Sequence, residues 1–306
     1  MDIRHIVLKR GNLKVILSSL GAYIVSISFN DELMTLVPLN LEELKRNDIY
    51  YGKTIGPISN RVKDGLIKID NKEYHLPLNE EGISNHSGLL GLSNKLFVSS
   101  TSSYRAIFTY QQKINDINIS YGIAYTLNED NSLRIDYIVR TSDKFMISLT
   151  NHPFFTLGES SLDNLSLIIK SDAYIESDKE SLLPKELKPL IDCLDFNNEK
   201  LIIKDIDDSY LTNHKSQGYD HSFRLIDKNI ILKSSKYELA INTDYDFVHL
   251  YTDNYSDNVK TKNSGLPNRR GAAIECVDNY LDRPIINKDE VYQRYIVYKF
   301  RDNRFY

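Results

Sequence analysis

The 306-residue sequence contains no tryptophan, only two cysteines and no long apolar run. Cys193 and Cys276 lack the CxxC spacing, which argues against a disulfide framework and against a structural zinc site. No apolar run approaches the roughly 18 residues that a membrane helix needs, and the charged N-terminal residues lack the apolar core of a signal peptide. We therefore expect a reduced, cytoplasmic protein that has no membrane partner.

Signals for nucleic-acid, metal and nucleotide binding are also missing. The formal net charge is −4 and the basic residues are scattered, so no nucleic-acid partner is expected. The seven histidines show neither HxH nor HxxxH spacing, and no metal site is predicted. Neither a GxGxxG or P-loop motif nor a GxSxG nucleophile elbow occurs. We therefore expect no metal and no cofactor.

The residues that are present favour strands. Tyrosine is abundant at 21 residues, whereas glycine (13) and proline (8) are few and lie between apolar runs. Large and small residues alternate over 119–127, apolar and charged residues alternate over 133–140, and 128–131 reads as the hairpin loop between them. Further strands are predicted near 4–9, 13–18, 22–29, 65–69, 95–101, 104–110, 145–150, 164–170, 222–226, 229–234, 237–243, 247–252, 271–277 and 292–300. The regular spacing predicts an all-β chain of antiparallel sheets, packed as a sandwich or closed barrel in one domain over residues 1–306.

Two segments depart from the strand pattern. Residues 41–46 predict a short helix. Residues 177–207, with Pro184 and Pro189, indicate a long irregular excursion, and connections of that length are commonly functional segments or lids.

The stretch Thr150–Gly158, TNHPFFTLG, places one histidine among aromatic residues. Pro153 disfavours a helical conformation for His152 and suits a strand end or edge. In an extended chain, Thr150, His152 and Phe154 would share one face. Such a histidine is either buried for structural reasons or available for proton exchange in a pocket.

Other polar residues interrupt glycine-rich or apolar segments. Asn60 and Arg61 lie within GPISNRVKDG, where the arginine could hold ligand oxygens or form a surface ion pair. His86 lies in a polar loop, and Asp220 precedes a strand, where it could also cap backbone amides. Glu275 interrupts an apolar strand, so it is either paired in the core or has a raised pKa useful for proton transfer.

Together these segments resemble the aldose 1-epimerase (galactose mutarotase) family. The resemblance covers the chain from about residue 11 to the final strand, and it rests on the order of Asn60-Arg61, Tyr74-His75-Leu76, Asn79, His86-Ser87-Gly88, TNHPFFTLG, Gly218-Tyr219-Asp220-His221, Tyr251-Thr252 and Glu275. It implies a large antiparallel β-sandwich, called a supersandwich, a sugar as the small-molecule partner and no cofactor. We expect a monomer or homodimer.

The resemblance also implies roles for individual residues in the interconversion of the α and β anomers of a free hexose. Glu275 resembles the general base at the anomeric hydroxyl, and His152 resembles the acid at the ring oxygen. Arg61, His86, Asp220 and Asn60 resemble substrate-binding residues.

Several residues depart from the family pattern. Ser87 stands where a glycine is usual, Pro153 stands where a small polar residue is common, and without tryptophan any stacking on a sugar must come from Phe or Tyr. A hexose-phosphate 1-epimerase is an alternative, with Arg269-Arg270 as its basic cluster. A non-catalytic sugar-binding or regulatory module is another.

Overall fold

The computed structural model describes residues 2–46, 49–255 and 259–305. The strands are β1 (His5–Arg10), β2 (Leu13–Ser18), β3 (Tyr23–Phe29), β4 (Glu32–Leu33), β5 (Thr54–Ile55), β6 (Arg61–Lys63), β7 (Leu66–Ile69), β8 (Lys72–His75), β9 (Ile83–Asn85), β10 (Val98–Ser102), β11 (Arg105–Ile114), β12 (Ile117–Leu127), β13 (Ser132–Thr141), β14 (Phe145–Met146), β15 (Thr150–Asn151), β16 (Phe154–Phe155), β17 (Ser166–Ile168), β18 (Ser171–Ser177), β19 (Pro184–Pro189), β20 (Lys200–Leu201), β21 (Asp220–Leu225), β22 (Asn229–Lys233), β23 (Tyr237–Thr243), β24 (Phe247–Tyr251), β25 (Ala272–Val277), β26 (Ile285–Ile286) and β27 (Tyr292–Asp302).

Helical structure is sparse. The described residues form the α-helices α1 (Leu41–Arg46) and α2 (Ser209–Thr212), and the 3₁₀ helices Gly88–Leu90, Leu92–Asn94, Leu162–Asn164, Asp192–Leu194, Ile202–Asp205 and Asn303–Phe305. The helix predicted over 41–46 is confirmed, whereas α2 was missed. Among these residues no helix is long and apolar enough to cross a membrane.

The largest sheet has nine antiparallel strands in the order β10-β11-β12-β13-β27-β23-β22-β17-β20. Strands β12 and β13 lie in the interior of this sheet. The alternation predicted for them is confirmed, because the large residues of both strands point into the core. The predicted hairpin is confirmed, since Leu127 pairs with Leu133 directly beside the loop.

A second antiparallel sheet has six strands in the order β16-β25-β24-β21-β18-β19. The inner faces of the two sheets contribute to one large apolar cluster. Phe155 of β16 meets Tyr298 of β27 edge-on at 5.0 Å. Just before β16, the Asn151 side-chain oxygen in β15 accepts from Tyr137 of β13. The result is the antiparallel sandwich that was predicted.

The interpretation of residues 177–207 as an irregular excursion was wrong in part. Residues 184–189 form β19, which pairs with β18 and lies at the edge of the six-stranded sheet. Pro184 and Pro189 stand at the two ends of this edge strand, where a missing backbone N–H is tolerated. The turn between β18 and β19 brings Leu182 to the cavity described below.

Candidate active site

One face of the six-stranded sheet gathers polar side chains from neighbouring strands. In the register of β21, β24 and β25, His249 pairs with Ser222 on one side and with Glu275 on the other. Two residues further along the same strands, Asp220 pairs with Tyr251. Because side chains of paired residues point to the same face, the chain folds three polar strand residues into one row.

His152 approaches this row from the edge of the sheet. It lies between β15 and β16, and the two strands stop on either side of His152 and Pro153, as predicted for a proline at a strand end. The His152 ring lies 5.1 Å from the Phe154 ring on the cavity side, whereas Asn151 and Phe155 point toward the nine-stranded sheet. The predicted shared face is therefore confirmed for His152 and Phe154.

The imidazole of His152 faces the carboxylate of Glu275. His152 Nε2 and Glu275 Oε1 are 3.3 Å apart, with side chains 6% and 2% exposed. Burial, followed by the nearby His249, lowers the pKa of His152 to about 3. Burial, followed by the negative charge of Asp220, raises the pKa of Glu275 well above its ordinary value. Each group is thus held in its neutral form, as expected for ionisable groups withdrawn from water.

Two residues with left-handed backbone conformations form another part of the cavity lining. Asn60 and His86 have φ values of 61° and 52°, and they lie beside Arg61 and Asn85, which pair between β6 and β9. The Asn60 backbone N–H donates to His86 Nδ1 at 3.2 Å. In a neutral imidazole this leaves the hydrogen on Nε2, and burial, followed by His152 and Arg61, lowers the pKa of His86. His86 can therefore donate one hydrogen bond to a ligand.

The side chain of Ser87 connects the segment that carries His86 to Ile58. Its backbone is also left-handed, with φ of 66°, a conformation for which glycine is better suited. The Ser87 hydroxyl donates to the carbonyl of Ile58 and accepts from the Ile58 N–H, both at 3.0 Å. The departure from the family's glycine thus adds two buried hydrogen bonds directly beside His86.

Arg61 and Asp220 form a charged group at the cavity. Arg61 Nη1 lies 3.4 Å from Asp220 Oδ2, and Arg61 Nε lies 3.3 Å from Glu80 Oε2. Burial acts to raise the pKa of Asp220, but Arg61 and His249 outweigh it and hold that pKa below its usual range. Asp220 is consequently an ionised acceptor, and its remaining lone pairs can receive hydroxyl hydrogens.

These groups surround a cavity of about 220 Å³, below the roughly 300–1,000 Å³ that is usual for drug-sized ligands and therefore suited to a smaller molecule. Its lining residues are Ile49, Tyr50, Asn60, Arg61, Glu80, Asn85, His86, His152, Leu182, Ser216, Asp220, His249, Tyr251, Tyr255, Glu275 and Tyr280. All six residues predicted for the site are among them. Four tyrosines supply its aromatic surface, and Tyr50 lies edge-on to His86 with ring centroids 4.7 Å apart.

His249 was missed by sequence reasoning. Its Nε2 lies 2.8 Å from Asp220 Oδ1, and its Nδ1 lies 2.8 Å from the Ser222 hydroxyl. The available signal was a lone histidine inside the apolar strand 247–252, comparable to Glu275 in its own strand. Only the strand register brings it next to Asp220.

The basic pair Arg269-Arg270 lies elsewhere, so its placement at the cavity mouth was wrong. Arg270 is buried and its Nε donates to Asp253 Oδ2 at 2.8 Å. Arg269 Nη1 lies 3.6 Å from Asp207 Oδ1. Neither arginine lines the cavity, because a buried carboxylate satisfies one and a different loop attracts the other.

The described residues offer acid–base chemistry within hydrogen-bonding reach of a ligand. No group of three or more His, Cys, Asp or Glu side chains in this part of the chain is arranged to hold a metal ion. A sequence model described as aldose 1-epimerase matches residues 4–299. The chain belongs to the aldose 1-epimerase family. This is a family of isomerases, and it is the family that the order of the sequence motifs indicated.

Other members of the aldose 1-epimerase family are similar over most of their length. Galactose mutarotase of Rattus norvegicus is 26% identical over 289 residues, which cover 88% of this chain and 83% of the relative. Aldose 1-epimerase of Haemophilus influenzae is 24% identical over 279 residues, covering 84% of this chain and 81% of the relative.

Solved structures agree with this family fold. An aldose epimerase homologue from C. elegans matches with a TM-score of 0.85 at 20% identity, covering 98% of this chain and 99% of the other. Galactose 1-epimerase from Lactobacillus acidophilus matches with a TM-score of 0.83 at 21% identity, covering 99% of both chains. These matches confirm the galactose mutarotase-like all-β sandwich.

Proposed function

We propose that this protein is an aldose 1-epimerase, or mutarotase, that interconverts the α and β anomers of a free hexose. The observation that carries the proposal is the pair formed by His152 and Glu275, called here the acid–base pair, which meet at 3.3 Å inside this cavity. Around it lie one ionised acceptor, Asp220, and the hydrogen-bond donors Arg61 and His86. That set matches a neutral ligand rich in hydroxyl groups.

Each step of mutarotation has a group positioned for it. Glu275 takes the proton of the anomeric hydroxyl while His152 delivers a proton to the ring oxygen, and the C1–O5 bond breaks to give the free aldehyde. Rotation about C1–C2 exposes the other face of the carbonyl, and reversal of both proton transfers closes the ring. Positioned acid and base catalysis of this kind contributes on the order of 10²–10⁴-fold. The sequence of steps itself calls for no metal and no cofactor.

The acid–base pair shares one proton. Burial disfavours the charged form of both groups, so the proton resides on Glu275 and the imidazole of His152 is neutral. Moving that proton to His152 creates the base and the acid together without changing the total charge. A sugar with one hydroxyl at Glu275 and its ring oxygen at His152 would stabilise the charge-separated form by hydrogen bonding.

The charges of the cavity favour a neutral hexose over a hexose phosphate. Among the described residues, Arg61 is the one Lys or Arg that lines the cavity, and two carboxylates already neutralise it. A phosphate binding there would face Asp220 and Glu80 without a cation of its own. The displacement of Arg269-Arg270 from the cavity removes the feature that supported the phosphorylated alternative.

A non-catalytic sugar-binding module would not need the acid–base pair. Glu275 Oε2 and His152 Nδ1 are buried without a hydrogen-bond partner, an arrangement that costs stability. Binding a sugar could use Asp220, Arg61 and His86 alone. A buried ionisable pair is more readily explained by proton transfer, because perturbed pKa values concentrate at catalytic sites.

The test is anomer exchange on freshly dissolved α-glucose, α-galactose and their 6-phosphates, followed by polarimetry and by NMR exchange. Protein denatured in the same buffer is the control, since buffers also catalyse mutarotation. We expect faster exchange of at least one free hexose than of its 6-phosphate. Preference for the phosphate would support the alternative epimerase, and sugar binding without accelerated exchange would support the binding module.

A further inference from the structure

His249 connects the candidate substrate-binding carboxylate to a buried hydroxyl. It lies in β24 between β21 and β25, is 6% exposed and lines the cavity. Its Nε2 contacts Asp220 Oδ1 and its Nδ1 contacts Ser222 Oγ, both at 2.8 Å. Ser222 is 3% exposed and does not line the cavity. The three residues, called here the Asp220–His249–Ser222 chain, run from the cavity along the same face of the six-stranded sheet.

The donor and acceptor capacities of the three side chains fix the direction of their hydrogen bonds. An ionised carboxylate can only accept, so the contact with Asp220 requires a hydrogen on His249 Nε2. In the neutral ring Nδ1 then accepts, and the hydroxyl of Ser222 donates to it. Asp220 therefore selects this neutral tautomer of His249, and the Ser222 hydroxyl stabilises it by donating to Nδ1.

The chain also fixes the plane of the carboxylate. Asp220 Oδ1 is held by His249, and Asp220 Oδ2 faces Arg61 Nη1 at 3.4 Å. With each oxygen anchored from a different element, the carboxyl group cannot rotate freely, and its unused lone pairs keep one direction toward the cavity. Acceptors held in this way bind a ligand with less loss of conformational entropy.

We propose that His249 is a positioning residue that orients Asp220 for sugar hydroxyls, and that Ser222 stabilises the tautomer that His249 needs for this by donating to Nδ1. The inference rests on the proposed function, since it assigns Asp220 a sugar to bind. It extends that function by adding two residues that are neither the acid nor the base.

Kinetics of single variants test the positioning role. His249→Phe fills a similar space without a donor, and it should raise KM for the best free hexose about tenfold or more, because a hydrogen bond to a charged group is lost. Its kcat should change less than its KM, because His249 acts on the acid only through the pKa of His152. His249→Gln keeps an N–H donor and should recover most of the affinity. Unchanged KM in His249→Phe, or a loss confined to kcat, would overturn the proposal.

A double variant tests whether His249 acts through Asp220. Asp220→Ala removes the group being oriented, so adding His249→Phe to it should leave KM where Asp220→Ala alone has placed it. Two independent increases in KM that multiply would show that His249 binds the sugar by itself, and the positioning role would be wrong.

The matched control for Ser222 is Ser171, which lies in β18 of the same sheet. Its hydroxyl is also buried but has no hydrogen-bond partner. Ser222→Ala should raise KM severalfold, whereas Ser171→Ala should leave KM unchanged. Equal effects of the two substitutions would contradict the role of Ser222.

A spectroscopic measurement separates this inference from the proposed function. Ring-¹⁵N histidine spectra at pH 8, with the His249 signals assigned by their loss in His249→Gln, should show a protonated Nε2 and an unprotonated Nδ1. In Ser222→Ala the same signals should shift toward another protonation state. If the wild-type protein exchanged no hexose, the proposed function would fail while these spectra still tested the chain. A protonated Nδ1 with an unprotonated Nε2 in wild type, or an unchanged spectrum in Ser222→Ala, would overturn the inference even in an active protein.

Discussion

Replacing Glu275 by glutamine should make the protein more stable at neutral and alkaline pH while removing the base. Glutamine has nearly the same shape, so the packing of β25 is kept. The carboxyl group it replaces is 2% exposed, one of its oxygens has no partner, and ionising it would add like-charge repulsion from Asp220. The folded protein therefore keeps this group neutral at a pH where the unfolded chain ionises it, and this costs about 1.4 kcal/mol for each unit by which the pKa is raised. Glutamine does not ionise, so we expect Glu275→Gln to gain at least about 1.4 kcal/mol in the free energy of unfolding at pH 8.

The sign of the pH dependence follows from the direction of the pKa shift. Burial raises the pKa of Glu275 above its ordinary value of 4.5, so the folded protein retains a proton that the unfolded chain has lost. Wild-type stability therefore falls as pH rises from that ordinary value to the raised pKa, by about 1.4 kcal/mol per pH unit in that interval. Glu275→Gln should lack this decline.

Urea denaturation of both proteins between pH 6 and 9 measures the effect. Glu186→Gln is the matched control, because Glu186 is an exposed carboxylate on the edge strand β19. Its substitution should leave both the stability and its pH dependence unchanged. A Glu275→Gln variant that is less stable than wild type at pH 8, or that keeps the wild-type slope, would refute the raised pKa.

Three further predictions concern the walls of the site and its pH range. Arg270→Met should cost about 3–5 kcal/mol in urea denaturation, because it leaves the buried Asp253 unpaired, whereas Arg269→Met should cost almost nothing; equal costs would contradict the buried pairing. Ser87→Ala should lower the free energy of unfolding by about 1–3 kcal/mol, because two hydrogen bonds to Ile58 are lost. The stability of Ser87→Gly should lie between those of Ser87→Ala and wild type, because glycine suits the left-handed backbone. Wild-type stability in Ser87→Ala would rule this out. The pH profile of kcat/KM should lack an inflection near pH 4.5 or 6.5, since the acid–base pair keeps its single proton through that range; a break at either pH would disprove the shared proton.

Much of the fold could be predicted because its patterns are local. The alternation over 119–127 fixes which face of β12 is buried, and turn residues at 128–131 place the hairpin. The edge strand β19 could not be recognised in this way. Its two prolines are the usual marks of irregular structure, and they are tolerated only because β19 lies at the end of the sheet, a position that depends on tertiary pairing.

The candidate site likewise contains residues that the local sequence predicts and residues that only the tertiary structure reveals. Glu275 and His152 were identified because each is a polar residue in an apolar setting, and the resemblance to a family ordered them. His249 carries a similar signal, but its partners are decided by the register of three strands far apart in the sequence. The predicted basic cluster at 269–270 was wrong because the two adjacent arginines have different partners, and only the packing of the folded chain shows which one is buried.

Anomer exchange by the acid–base pair is the central claim, and rates measured on variants test it most directly. Glu275→Gln and His152→Ala should each slow NMR-detected exchange of the best free hexose by about 10²–10⁴-fold, while circular dichroism shows both variants to be folded. The controls Glu186→Gln and His75→Ala, at exposed positions, should retain the wild-type rate. Wild-type exchange in either Glu275→Gln or His152→Ala would contradict the assignment of acid and base.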